Sequence, residues 1–189
     1  MSRTAPSTAR PDLATLAMVA VGGSLLVVRL WLPALGTTGR TVGLVAVPIA
    51  ILVGSLIVPV PADRVRLRPR LVLAIGLAAL GLALVAGGRP LPAPFVAWAL
   101  PLTVLAAVAE EALFRRAAYG ALQRHGALVA IGVTALAFAL VHVPLYGVAV
   151  FPVDLGAGLL LSWQRWAAGS WTVPAATHGA ANALMTVLR

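Results

Sequence analysis

The sequence predicts an all-α fold, a polytopic transmembrane helical bundle of about seven spans, within a range of six to eight. Three observations carry that expectation. Of 189 residues, 61% are hydrophobic and only 10% charged, whereas soluble domains are roughly a quarter charged. The mean hydropathy is +1.00. The apolar residues fall into runs close to the ~20 residues that cross ~30 Å of hydrocarbon as a helix.

In chain order, residues 1–11 (MSRTAPSTARP) are polar and contain proline, which predicts a disordered cytoplasmic N-terminus. Residues 12–90 hold the N-terminal transmembrane helices. Their first run, 13–35, is too long for the apolar region of a signal peptide and lacks a small-residue cleavage site, so it reads as a retained helix. Runs at 41–61 and 71–88 follow. Segment 91–189 carries four more, at 101–123, 127–146, 148–164 and 171–188; the third is the shortest and contains Pro152 and Asp154. Residues 91–100 (LPAPFVAWAL) form either a short interfacial helix or an extension of the next span across a kink at Pro101.

Loop charge orients the bundle. The net charge of +9 comes entirely from arginine. An N-terminus inside places Arg3, Arg10, Arg64, Arg66, Arg68, Arg70, Arg124 and Arg165 in cytoplasmic segments, against Arg40, Arg89 and Arg189 on the other side, as the positive-inside bias requires. Arginine without lysine, amid much Ala, Gly, Val and Leu, points to a high-GC bacterial genome and hence to a multi-pass protein of the bacterial inner membrane. The arginines are spread over loops and not gathered on one soluble face, which argues against nucleic acid as a partner. The absence of cysteine excludes disulfides, thiolate catalysis and Cys-ligated metals.

The acidic residues are Asp12, Asp63, Glu110, Glu111 and Asp154. Asp12 and Asp63 stand beside arginines in predicted loops and are expected to be solvated. Within the later spans the polar set is Glu110, Glu111, Arg115, Arg116, His142, Asp154, His178 and Asn182. An ionisable group in hydrocarbon costs about 2.5–3.5 kcal/mol by insertion scales, so such groups face the bundle interior and pair. Glu111 and Arg115, at i, i+4, lie on one helix face with the acid N-terminal. That pairing leaves Glu110 without a local partner. Arg116 is expected to snorkel to the interface, His125 to lie in a turn, and Trp163, Trp166 and Trp171 to anchor at the interface.

A turn near Arg124–Gly126 makes two antiparallel helical arms of about 20 Å each at ~1.5 Å per residue. Glu110 and His142 then return to a similar depth. His178 and Asn182, at i, i+4 on the last span, lie about 10 Å beyond Trp171, amid small residues that let helices approach closely. Four polar groups on three helices are thus expected at one level.

EEALFR (Glu110–Arg115) resembles the EExxxR motif of the CPBP family of intramembrane proteases, the CAAX-processing and bacteriocin-processing group also called Abi. FALVH (Phe138–His142) is similar to its FxxxH motif, and HGAAN (His178–Asn182) to its HxxxN motif; all three occur in the family's order within roughly residues 90–189. The resemblance implies that 91–189 is a CPBP-like catalytic transmembrane core and that the chain is a CAAX-type intramembrane endopeptidase. It implies Glu110 as general base, His142 as its partner in positioning the water, and His178 and Asn182 as stabilisers of the oxyanion. Glu111 and Arg115 would support the site. Burial tunes a carboxylate toward taking a proton from water, and donors aimed at an oxyanion act strongly in a dry cavity. A metal-free site is favoured, because no HExxH is present and an Asn beside an Arg is a poor zinc environment. Zinc, if bound, would sit on Glu110, His142 and His178. The expected partners are a peptide or protein substrate at the membrane and the lipid bilayer itself. Two other readings stand beside the protease: a catalytically silent scaffold or bacteriocin self-immunity protein, and a proton-coupled carrier in which buried Glu and His form a relay.

Overall fold

The computed structural model describes residues 13–87 and 98–188, apart from the side chains of Pro33 and Leu84. The expected disordered N-terminus, Asp12, Arg89 and most of the interfacial segment 91–100 lie outside the described residues. Within them the chain is helical and has no strand. Helix α1 (Leu13–Val28) continues as a 3-10 segment, Arg29–Leu35, and is followed by α2 (Gly36–Ile57) and α3 (Pro69–Gly87). Helix α4 (Ala99–Glu111) passes without a break into a π-helical segment, Ala112–Ala118, and a last α-turn, α5 (Tyr119–Leu122). Helices α6 (Ala127–Tyr146), α7 (Phe151–Ala168) and α8 (Thr172–Val187) complete the bundle. Pro101 falls in the first turn of α4, where a proline sacrifices no intrahelical bond.

Three of these segments are long and apolar enough to cross a membrane, Leu13–Leu32, Gly36–Ile57 and Ala127–Tyr146, and Pro69–Ala83 is a shorter apolar helix. The rest of the bundle departs from uniform apolarity for a physical reason. The α4–α5 rod carries Glu110, Glu111, Arg115 and Arg116, and α7 carries Asp154 and Arg165, but most of these side chains turn inward. The outside is apolar instead: Leu13, Leu82, Val85, Leu128 and Val148 are each at least 70% exposed. A belt of that kind is a liability in water and is satisfied by lipid.

The π segment is the centre of the molecule. Ala112, Leu113, Phe114, Arg115, Ala117 and Ala118 are all buried, and α1, α2, α6 and α7 pack around them. Leu26, Val47, Ile51, Ala109, Leu113, Phe114 and Phe138 form one core cluster there. Helices α6 and α7 fold back on each other across a short connection. Gly158 allows their close approach, since a Cβ at that position would meet the Ala135 carbonyl oxygen at 2.9 Å.

One end of the bundle is closed by the segment between α2 and α3. Gln123 Nε2 donates to the Pro61 carbonyl at 3.4 Å, and the Arg66 and Leu67 amides donate to Ala167 O at 3.0 and 2.9 Å. The Arg66 guanidinium lies 4.8 Å over the Trp166 ring. Helix α7 ends in a left-handed Gly169 (φ 65°) packed on the backbone of Arg64. Arg64, Arg66, Arg124 and Arg165 therefore gather at one end.

Asp63 lies in a loop as expected, but its carboxylate is paired and mostly covered, and Arg165 is not in a loop. Helix α7 runs to Ala168, four residues past the predicted span, so Arg165 is inside it and 5% exposed. Its Nε donates to the Arg115 carbonyl at 2.9 Å, and its Nη1 reaches Asp63 Oδ2 at 3.3 Å. Asp63 also accepts from the Arg64 amide and Arg66 Nη1. A π-helical stretch leaves carbonyls short of α-helical donors, and Arg165 supplies one.

Candidate active site

The two glutamates close α4 side by side, and the change from α to π winding turns the residues that follow to different neighbours. Glu111 is fully buried. Its Oε1 receives Arg115 Nη1 at 3.0 Å and His178 Nδ1 at 3.0 Å; its Oε2 has no hydrogen-bond partner among the described residues. The i, i+4 pair expected from spacing is present. Arg115 also donates from Nη2 to the Gly158 carbonyl at 3.2 Å, tying the motif to α7. Its guanidinium stacks 4.5 Å from the centroid of Phe138, whose ring touches His142 and His178 as well. The phenylalanine of FALVH is thus the apolar floor on which one cation and two imidazoles rest.

Arg116 is partly buried. Its Nη1 donates to the Ser55 carbonyl and, at 3.0 Å, to Val58 O, capping the C-terminal end of α2, where a cation is favoured.

Glu110 has a partner that sequence reasoning missed. Arg29, at the junction of α1 and the 3-10 segment, donates from Nη1 to Glu110 Oε1 at 2.9 Å. The second carboxylate oxygen, Oε2, faces His142 Nε2 at 3.7 Å. His142 Nδ1 donates to the Phe138 carbonyl at 2.7 Å, one turn back, so in the neutral ring Nε2 carries the lone pair. Glu110 and His142, from α4 and α6, do return to one depth, as the length arithmetic of the hairpin expects.

His178 and Asn182 are placed along α8 beside α4. With Nδ1–H committed to Glu111, His178 Nε2 donates only in the imidazolium. Asn182 Nδ2 donates to the Thr103 carbonyl at 3.1 Å, seven residues or about 10 Å before Glu110 on α4. Thr103 Oγ1 and Thr186 Oγ1 are 3.2 Å apart and continue this polar seam. Asp154, in the first turn of α7, is half-buried and close enough to feel the charges of His142, Glu110 and His178.

Among the described residues, no three His, Asp or Glu side chains converge as metal ligands. Glu110 is engaged by Arg29 and His178 by Glu111, so this donor set does not fit the three converging ligands of a catalytic zinc site. The reaction below uses no metal step.

Residues 92–184 match the family model described as type II CAAX prenyl endopeptidase Rce1-like. All three motifs, and each of Glu110, Glu111, Arg115, His142, His178 and Asn182, fall inside the matched segment, whereas Arg29 and helices α1 to α3 fall outside it. The Rce1-like family is one of membrane-embedded proteases. Comparison with curated proteins and with solved structures returns no match.

Proposed function

We propose that the protein is a multi-pass intramembrane endopeptidase of the bacterial inner membrane. It would cleave a membrane-associated peptide or protein with water activated by Glu110 and His142. The observation that carries this reading is the 3.7 Å separation of Glu110 Oε2 and His142 Nε2. It is too wide for a direct hydrogen bond and suits one water donating to both acceptors at about 2.8 Å. Such a water has both hydrogens engaged and its lone pair free for attack.

The chemistry then follows from the residues. Glu110 takes a proton as the water oxygen bonds to the scissile carbonyl carbon, and the carbonyl oxygen becomes an oxyanion. Glu110 returns that proton to the leaving amine as the C–N bond breaks. His178, as imidazolium held by Glu111, serves as oxyanion donor, whereas Asn182, turned to the Thr103 carbonyl, ties α8 to α4. Arg115 fixes Glu111 and so indirectly His178. In this account seven spans carry the chain, with its N-terminus and arginine-rich end in the cytoplasm.

The test is purified protein in detergent against a library of quenched membrane-proximal peptides, with product masses read with and without chelator. Cleavage unaffected by chelator is the expected result. Cleavage lost with chelator contradicts the metal-free mechanism, and silence of well-folded protein across the library contradicts the protease.

A further inference from the structure

Arg29 is the sole charged residue in the first apolar run of the chain, and α1 with its 3-10 continuation brings it to the centre of the site. Its Nη1 lies 2.9 Å from Glu110 Oε1, with the two side chains 19% and 7% exposed. Leu26, Val47, Pro48, Ile51, Ala106 and Ala109 wall the pair on one side, leaving a cavity of about 10 Å³. That is room for at most one water. In such a dry setting neither charge is well screened, and each needs the other. The opposite side of the carboxylate is where His142 stands. Arg29 therefore takes one oxygen of Glu110 and leaves the other directed at His142.

We propose that Arg29 is a positioning residue of the site: it holds the Glu110 carboxylate so that Oε2 faces His142 Nε2. The N-terminal helices, which lie outside the family-matching segment, thus contribute a side chain to the site of the domain. The catalytic consequence rests on the protease reading; the holding of Glu110 does not. A bare scaffolding role for α1 would need only its apolar face. Gly22 packing on Leu113 already supplies close contact between α1 and the π segment.

Two measurements on full-length protein separate these claims. The first is thermal unfolding in detergent of Arg29→Gln, Glu110→Gln and the double variant. Each single change leaves a buried charge unpaired, so the double variant should unfold well above the temperature that adding the two losses predicts. Additive losses would overturn the inference, whether or not the protein is a protease. The second is steady-state cleavage of any peptide the wild type accepts. Arg29→Gln should lower kcat by about 100-fold, the scale of a 1 Å misplacement, with KM little changed, and Arg29→Lys should recover part of the loss. Wild-type kcat in a folded Arg29→Gln protein would overturn the positioning role. Non-additive unfolding in a wild type that cleaves nothing would uphold the holding of Glu110 and count against the protease reading alone.

Discussion

At the residue scale the two glutamates have distinct tasks because their oxygens meet different atoms. Glu111 spends Oε1 on Arg115 and His178 in full burial, whereas Glu110 keeps Oε2 pointed at an imidazole lone pair 3.7 Å away. Arg115→Gln removes one partner of a fully buried pair, so it should cost about 3–5 kcal/mol, read as a fall in unfolding free energy in detergent. An unchanged stability would contradict the buried Glu111–Arg115 ion pair as a support of the fold. His142→Ala should leave the fold intact and reduce kcat by roughly 10²–10⁴, the range of positioned acid–base groups. Much of this was legible in the sequence. The Glu111–Arg115 pair follows from i, i+4 spacing, and the meeting of Glu110 and His142 from counting residues along two arms. Arg29 was not legible, because it lies 81 residues from Glu110 in an apolar run with no local signal of a partner. Arg165 was misplaced because charge beside a predicted helix end reads as a loop, and its pairing with Asp63 spans 102 residues.

At the scale of elements, the π winding after Glu111 sends Arg115 to α7 and Arg116 to α2. Composition gives no sign of it, since the same residues suit a regular α-helix; it is packing from several sides that selects the wider turn. The helices themselves were readable from their apolar runs, three of which are long and apolar enough to cross a membrane. Their ends were less so, as α7 shows by running through Arg165. Two of the contacts between elements run over glycines at backbone range. Gly158→Val would drive methyl groups into the Ala135 backbone and should cost at least the 1–3 kcal/mol of an overpacked core, lowering the unfolding temperature and activity together. Gly169→Ala forces a Cβ into a left-handed φ and to within 3.0 Å of the Arg64 and Val65 backbone. It should destabilise by about 1–2 kcal/mol, and a neutral effect in the same unfolding assay would show that the α2–α3 segment does not dock on α7 as described.

For the whole molecule, the arginine-rich end and the apolar belt set the expected placement in the bilayer. The chain has no cysteine, so single-cysteine reporters are clean. A cysteine replacing the exposed Arg68 should be labelled by an impermeant maleimide only from the cytoplasmic side, and one replacing the exposed Arg40 only from the other. Labelling of both from one side would contradict the spans drawn between them. The domain that matches the family is completed by helices that do not match it, through Arg29 on Glu110. The sequence alone presents those helices as spans and nothing more, because a packing role leaves no motif. On the proposed mechanism Glu110 activates water for peptide hydrolysis. The most direct test is to incubate wild type and Glu110→Gln, purified in parallel, with the same membrane-proximal peptides and to compare products by mass spectrometry. Cleavage by the wild type alone, with both proteins equally folded, is the predicted result; equal cleavage by both would contradict the assignment of Glu110 as the base.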